Sequence, residues 1–227
     1  MQDIGSAVDF MRHHYSIHEV TLAGLCSGAY HALRAAAAGL NVNRILLVNP
    51  QNYFWKKGMT LDQIQLVEAV HNPGLYRQRV LSLRAWQRVV TGEVNVFRIV
   101  GIYLKRLRLG GEAMLREIAR PLRVRLPDDL GWELERIIAR GIKVTFVFAK
   151  GEPGIALLKL QAGSTLSRLS DRIRLRLIDG GDHIFSRPAP RHMMENVLSE
   201  ELYARAEGAG DSPTASGPNT LPNFSAK

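Results

Sequence analysis

Short apolar runs alternate with segments of helical spacing along most of the chain. Four runs are rich in apolar and β-branched residues and too short to cross a membrane: 19–23, 44–50, 142–149 and 173–178. Segments with apolar residues at helical spacing lie around them, at 3–12, 29–38, 130–140, 155–170 and 190–206. Strands that alternate with helices favour parallel pairing. The pattern predicts an α/β fold with a mostly parallel sheet of about four strands.

The long segment between the second and third predicted strands has a different pattern. No strand is predicted from 51 to 127. Helical stretches occur instead near 60–71, 73–91, 93–108 and 111–120, with glycine breaks between them. We therefore predict a helical cap at 51–127, inserted in a core that comprises 1–50 and 128–206. Asp128 or Asp129 is the predicted N-cap of the helix that re-enters the core.

The turn between the first strand and its helix has the sequence Gly24-Leu25-Cys26-Ser27-Gly28. A nucleophile between a strand and a helix, with small residues two positions before and after it, is typical of a nucleophile elbow. Glycine at both flanking positions, Gly24 and Gly28, lets the strand and the helix approach each other closely. The pattern predicts Cys26 as the nucleophile.

Ser27 is the alternative nucleophile, because it lies next to Cys26 in the same turn. In that register the flanking residues are Leu25 and Ala29, and leucine is too large for the crossing of strand and helix. With Cys26 as nucleophile, the main-chain N–H of Ser27 supplies half of an oxyanion hole. The other interpretation of Cys26 is a small buried cysteine at a glycine-rich turn.

A thiol nucleophile needs a base and a carboxylate that orients the base. In this arrangement the chain order is nucleophile, acid, histidine. Glu152 follows the third predicted strand, and His183 lies in the loop after the last one. Asp179 and Asp182 in that loop are alternative acids, and Glu152 is otherwise a solvated turn carboxylate. The other histidines lie on helices or linkers rather than after a strand: His13, His14, His18, His31, His71 and His192.

These motifs resemble those of the α/β-hydrolase superfamily, in its branch of esterase- and aminopeptidase-like enzymes with a helical cap. Cys26, Glu152 and His183 match the nucleophile, acid and base positions of that family. The cysteine elbow is similar to that of dienelactone hydrolase, and its G-x-C-[SD]-G-A form also resembles hydrolases of bacterial exopolysaccharide loci. The resemblance covers about residues 1 to 200. It implies hydrolysis of an ester or thioester, or acyl transfer from such a substrate to a saccharide or carrier.

The chain departs from this family before the elbow. Several strands and the loop that donates the second oxyanion N–H precede the elbow in the family, whereas 23 residues precede Gly24 here. We expect the chain to begin within the domain, and three explanations stay open: an internal start, a split partner, or a degenerate relative. A sheet that lacks those strands has an apolar edge, which predicts a partner chain or dimer that covers it. A non-catalytic binding subunit is the alternative function.

The formal net charge of +9 is unevenly distributed. Twelve basic residues lie between positions 77 and 125 of the predicted cap: Arg77, Arg79, Arg84, Arg88, Arg98, Lys105, Arg106, Arg108, Arg116, Arg120, Arg123 and Arg125. This excess predicts attraction to an anionic substrate, an acidic carrier protein or a membrane surface, and a solvated basic helix face is the other interpretation. No zinc or helix-turn-helix signature accompanies the charge, so we do not expect nucleic-acid binding.

The remaining composition argues against cofactor and disulfide chemistry. Neither a phosphate-binding glycine loop nor metal-ligand spacing occurs, so we predict no cofactor and no metal. The single cysteine excludes an internal disulfide and is typical of a reducing compartment. The N-terminus lacks a signal-peptide pattern, and no apolar run is long enough for a transmembrane segment. We therefore expect a cytoplasmic location. Residues 207–227 are rich in Gly, Ser, Pro and Asn and predict a disordered tail.

Overall fold

The computed structural model describes residues 2–55, 126–203 and, between them, residues 111–112, 114–116, 118–120, 122 and 124. Five helices and four strands follow one another in these parts of the chain: α1 Gln2–Tyr15, β1 Thr21–Leu25, α2 Ser27–Ala37, β2 Arg44–Val48, α3 Leu130–Ala139, β3 Lys143–Ala149, α4 Pro153–Arg168, β4 Ile173–Ile178 and α5 Pro188–Tyr203. Residues 111–112, 114–116 and 118–119 are also helical. The helices predicted from 60 to 108 and the tail predicted at 207–227 lie outside the described residues. None of the described helices has the length and apolar character needed to cross a membrane.

The four strands form one parallel sheet in the order β1-β2-β3-β4, which confirms the predicted α/β class. Leu25 is aligned with Val48, and Val48 in turn with Val147. At the far side of the sheet, Ala149 is aligned with Ile178. All four carboxyl ends therefore lie along the same edge of the sheet. The residues that follow the strands meet at this edge, where parallel sheets usually bind ligands.

The main core lies between the sheet and helices α2, α3 and α4. When strands follow one another in order and every crossover is right-handed, the crossover helices are on the same face of the sheet. Leu33 of α2, Leu134 of α3 and Leu158 of α4 are fully buried in this core against Ile45 and Phe146 of the sheet. The apolar core on the opposite face of the sheet is smaller, and helix α5 covers it. There Val147 and Ile178 pack with Phe185 and with partly buried residues of α5.

A buried carboxylate fixes α5 on that opposite face. The side chain of Glu201 is 3% exposed. Its carboxylate accepts hydrogen bonds from Thr145 Oγ1 at 3.1 Å and from Arg174 Nη1 at 2.9 Å. Arg44 Nη1 lies 3.6 Å from the same group. A charge buried this deeply is tolerated because its partners are charged or polar. This contact holds the helix that follows the His183 loop.

Two element boundaries differ from the sequence prediction in a way that matters for the site. Strand β1 ends at Leu25 and helix α2 begins at Ser27, so Cys26 alone forms the turn. Helix α4 begins at Pro153, since proline is well suited to the first turn of a helix, and Glu152 is its N-cap residue. Asp129, one of the two predicted caps of α3, accepts a hydrogen bond from Trp132 N at 3.1 Å.

In the part of the chain that the structure describes, Arg120 connects the end of the predicted cap to the core. Arg120 is 7% exposed, and its guanidinium contacts Asp129 Oδ1 at 2.7 Å. It also donates to Ser164 Oγ at 3.0 Å and to the main-chain oxygen of Gln161 at 3.0 Å, both on α4. Where the chain returns to the core, the buried ion pair of Arg120 and Asp129 thus contacts helices α3 and α4.

Candidate active site

Cys26 has a main-chain conformation that side chains seldom adopt. Its φ is 55° and its ψ is −111°. Conformations of this kind are costly for residues other than glycine, and they concentrate at functional sites. Hydrogen bonds on both sides hold the turn: Cys26 N donates to Val48 O at 2.9 Å, and Tyr30 N donates to Cys26 O at 3.2 Å. The thiol-bearing residue is therefore fixed between strand and helix, at the carboxyl edge of the sheet, and is partly buried.

The two glycines of the elbow have different roles. A Cβ atom on Gly24 would lie 2.2 Å from Gly28 C, 2.4 Å from Gly28 O and 2.6 Å from Ala29 N, all main-chain atoms. A Cβ on Gly28 meets no described atom within 4 Å. Gly24 is required by the close crossing of strand and helix. Position 28 was also expected to require a small residue, but the described residues leave room for a side chain there. Gly28 takes part in the crossing through its main-chain atoms, which are the atoms close to Gly24.

His183 and Glu152 are in contact. His183 Nδ1 lies 3.0 Å from Glu152 Oε2, and the two side chains are 28% and 11% exposed. Glu152 occupies the N-cap position of α4 without capping it through its side chain. When Nδ1–H donates to a carboxylate, the neutral imidazole has its free lone pair at Nε2. Among the described residues, the buried Nε2 atom has no hydrogen-bond partner, and so it is available as a base.

The two alternative acids make other contacts. Asp179 Oδ1 pairs with Lys150 Nζ at 2.9 Å, and both side chains are largely exposed. Asp182 accepts hydrogen bonds from the Ser186 hydroxyl and from Ser186 N, the latter at 2.7 Å. Both hydrogen bonds lower the pKa of Asp182 from its ordinary value, and the bond from the Ser186 hydroxyl has the larger effect. Glu152 is the carboxylate that the fold brings to the ring of His183.

Gln51 is a neighbour of His183 that the sequence analysis did not identify. Its Nε2 lies 3.3 Å from His183 Nδ1, the same nitrogen that contacts Glu152. A nitrogen that donates its proton to a carboxylate cannot also accept from an amide N–H. A half-turn of the amide places Oε1 of Gln51 there as a second acceptor instead. We infer this orientation, because a hydrogen bond to the charged carboxylate is the stronger of the two.

The segment that contains Gln51 is packed against the N-terminus of α4. Tyr53 is fully buried, and its hydroxyl donates to Gly154 O at 3.0 Å. Burial raises the pKa of Tyr53 well above its ordinary value, so the hydroxyl stays protonated as a donor. A Cβ on Gly154 would lie 1.9 Å from Pro50 O. The residues directly after β2 are therefore fixed against the turn that contains Glu152.

One sequence signal points to this segment. Asn49 and Gln51 are polar residues directly after an apolar strand, like Glu152 and the residues around His183. Polar residues at the carboxyl ends of parallel strands converge at one edge. Gln51 was predicted to lie in the cap instead, because proline at position 50 indicates the end of the strand.

The other predicted site residues are placed as follows. Ser27 is the first residue of α2, so its main-chain N–H has no acceptor within the helix and is available to an oxyanion. His13 contacts Asp9 O, and His192 contacts Glu195, each within its own helix. His71 lies outside the described residues.

No group of three His, Cys, Asp or Glu side chains in the described part of the chain is arranged to hold a metal ion. A cavity of about 230 Å³ lies at the amino ends of β3 and β4, far from the elbow, and Lys143, Arg172, Arg174 and Glu201 are among its lining residues. Most of the basic residues that predict an anionic partner lie outside the described residues. That expectation therefore stays a prediction.

Comparisons with known proteins give little beyond this geometry. No family model matches the chain, and no curated protein matches it. Among solved structures, a carboxylesterase of the ammonia-oxidizing thaumarchaeon Nitrososphaera gargenis is similar, with a TM-score of 0.44 and 16% sequence identity over 89% of this chain and 71% of that chain. This likeness is too slight to assign an activity. The functional conclusion depends on the site itself.

Proposed function

We propose that the protein is an acyl hydrolase of the α/β-hydrolase type, which cleaves an ester or thioester through Cys26, His183 and Glu152. One observation carries the proposal. His183 Nδ1 is 3.0 Å from Glu152, and its buried Nε2 has no described partner. The imidazole lies in the loop after β4, at the sheet edge where Cys26 has its strained conformation. A base oriented by a carboxylate, together with a nucleophile on a tight turn, is the arrangement used for acyl transfer.

Each group has one role in the proposed reaction. His183 Nε2 removes the proton from Cys26 Sγ, and the thiolate attacks the carbonyl carbon of the substrate. The N–H of Ser27 donates to the oxyanion that forms. The imidazolium then protonates the leaving alcohol or thiol, and an acyl-enzyme remains. Water, deprotonated by the same Nε2, releases the acid and regenerates the thiol.

The fold supports the charges that appear in this reaction. Cys26 directly precedes helix α2, and the N-terminus of a helix favours negative charge. Glu152 is likewise at the N-terminus of α4, where its carboxylate has the same benefit. The carboxylate in turn stabilises the imidazolium that forms on His183. The thiolate of Cys26 thus forms next to the N-terminus of α2, and the imidazolium of His183 forms next to the carboxylate of Glu152.

The rate at which iodoacetamide alkylates Cys26 tests the pairing of thiol and base. An isolated thiol has a pKa of about 8.5 and labels slowly near neutral pH. We expect labelling at neutral pH that is faster than that of an isolated thiol, and His183→Ala is expected to slow it on the order of a hundredfold. The measurement is the second-order rate constant against pH, by mass spectrometry of the intact chain.

His192→Ala is the matched control for this experiment. His192 also pairs with a glutamate, Glu195, at 3.2 Å, but it is exposed on α5. We expect its removal to leave the labelling profile unchanged. Slow wild-type labelling that His183→Ala does not alter would show an inert cysteine, and the proposed hydrolase function would then be wrong.

A second comparison identifies the acid. Glu152→Gln removes the charge next to the imidazole and is expected to slow labelling of Cys26 near neutral pH by about tenfold or more. Asp179→Asn also removes one negative charge at this edge, but its partner is Lys150 rather than His183. We expect little change in that variant. Equal effects of the two substitutions would contradict a specific role of Glu152, because they would indicate that only the total negative charge at this edge matters.

A further inference from the structure

Asn49 lies at the point where the three segments of the proposed site meet. It follows β2, is fully buried, and has a φ of 44°. Its main-chain N donates to Val147 O at 2.9 Å, and the oxygen of the preceding residue, Val48, accepts from Cys26 N at 2.9 Å. The main chain at 48–49 therefore connects the elbow on one side with the end of β3 on the other.

The side chain of Asn49 extends this connection to the acid and the base. Oδ1 accepts from Ala149 N at 2.8 Å, and Nδ2 donates to His183 O at 2.7 Å. Nδ2 is also 3.5 Å from Asp182 O. Ala149 O in turn accepts from Glu152 N at 3.1 Å. One amide group thus contacts the main chain of His183 and the residue whose carbonyl fixes the turn of Glu152.

The chemistry of the position explains why it is asparagine. Both a donor and an acceptor are needed, and they must be on one short side chain. Aspartate has no N–H for the carbonyl of His183, and leucine has neither group. Asparagine is also among the few residues that tolerate a positive φ. Because the side chain is buried, losing either hydrogen bond would destabilise the folded protein, since a polar group without a partner inside a protein has an unfavourable free energy.

We propose that Asn49 is the positioning residue of the catalytic base: it holds the His183 loop to the end of β3, so that Nδ1 of His183 meets Glu152. The inference rests on the proposed function and adds to it a residue whose described hydrogen bonds are all with main-chain atoms, those of Val147, Ala149, Asp182 and His183. Among the described residues, Glu152 contacts the imidazole, Asp182 with the nearby Arg187 belongs to the same loop, and Lys150 and Asp179 form an ion pair on the neighbouring turns. Asn49 is neutral, so its removal changes position without changing charge.

The test is the pH profile of Cys26 alkylation in Asn49→Gly, compared with Asn52→Gly. Glycine keeps the positive φ of position 49 without strain and removes both side-chain hydrogen bonds. Asn52 is a matched control, because it is 8% exposed, lies three residues later, and makes its hydrogen bonds to described residues with Tyr53 and Phe54. The melting temperature of each variant is measured alongside.

We expect both variants to lose stability, and only Asn49→Gly to lose fast labelling at neutral pH, by on the order of ten- to a hundredfold. Its profile should approach that of His183→Ala. A folded Asn49→Gly protein with the wild-type profile would overturn the inference, and so would an equal loss of labelling in Asn52→Gly. If His183→Ala leaves the wild-type profile unchanged, the proposed function fails and the inference fails with it. If His183→Ala slows labelling and Asn49→Gly does not, only the inference fails.

Asn49→Asp keeps the test decisive if the glycine variant does not fold. It retains an acceptor for Ala149 N but has no donor for His183 O. A carboxylate near the imidazole would by itself favour the imidazolium and faster labelling. Slower labelling in this variant would therefore identify the loss of position, whereas labelling as fast as in the wild type or faster would overturn the inference.

Discussion

Replacing Cys26 with alanine is expected to reduce the rate of hydrolysis of an activated ester or thioester by on the order of a millionfold. The strained turn of Cys26 places one nucleophile at the edge where Nε2 of His183 lies without a hydrogen-bond partner among the described residues. Without Sγ no acyl-enzyme forms, and the base and the oxyanion donor have no intermediate to act on. The measurement is the release of p-nitrophenol from short acyl esters and of thiol from an acyl thioester.

Cys26→Ser and Ser27→Ala complete this experiment. A hydroxyl at position 26 keeps the geometry but gives a poorer nucleophile than a thiol, so we expect Cys26→Ser to lose most of the activity. Mass spectrometry of the intact chain should detect an acyl group on the wild-type protein and none on Cys26→Ala. If Cys26→Ala retains hydrolysis and Ser27→Ala loses it, the nucleophile is Ser27 and the predicted register of the elbow is wrong.

Replacing Gly24 with alanine is expected to destabilise the protein by about 3 kcal/mol or more, beyond the usual range for an added methyl group in a packed core. The new Cβ would lie 2.2 to 2.6 Å from main-chain atoms of Gly28 and Ala29. Main chain cannot rotate away as a flexible side chain does, so β1 and α2 must separate. The separation would also disturb Cys26 between them. Urea unfolding followed by circular dichroism measures the change in the free energy of unfolding.

Gly28→Ala is the matched control in the same turn. The added methyl group meets no described atom within 4 Å. Alanine is also favoured over glycine within helices by up to about 1 kcal/mol. We expect the free energy of unfolding to change by about 1 kcal/mol at most in this variant. Losses of equal size in the two variants would show that the close crossing at Gly24 is absent in solution.

The sequence predicted the sheet well because its signals are local. Strand β4 has the predicted bounds, and β3 differs from its prediction by one residue, since short apolar runs next to helical segments leave few alternatives. At the elbow, the predicted strand at 19–23 lies two residues before the observed strand β1, which spans Thr21–Leu25. The apolar run 19–23 ends two residues before β1 does, because Gly24 and Leu25 continue the strand up to the strained residue. Hydrophobicity alone does not mark the end of a strand within a glycine-rich turn.

Among the three candidate carboxylates, the sequence favoured Glu152 through its match to the acid position of the family that the chain resembles, and spacing alone left Asp179 and Asp182 as alternatives. Glu152, Asp179 and Asp182 all follow strands that end at one edge, and each is close enough in the chain order to be the acid. In the structure their contacts differ: Asp179 meets Lys150 and Asp182 meets Ser186, whereas Glu152 contacts His183. Side-chain partners of this kind depend on turn geometry of a few residues. No periodic pattern encodes that geometry.

What the sequence determined by itself is the parallel α/β layout, the turn that contains Cys26, and the order of the candidate nucleophile, acid and base. These follow from hydrophobic periodicity and from residue spacing along the chain, which are properties of neighbouring residues. The tertiary structure alone decided that Glu152 contacts His183, that Gln51 shares the same nitrogen, and that Asn49 connects the ends of the strands. Such contacts join residues about 30 to 130 positions apart, and only the aligned carboxyl ends of a parallel sheet bring them within hydrogen-bond distance.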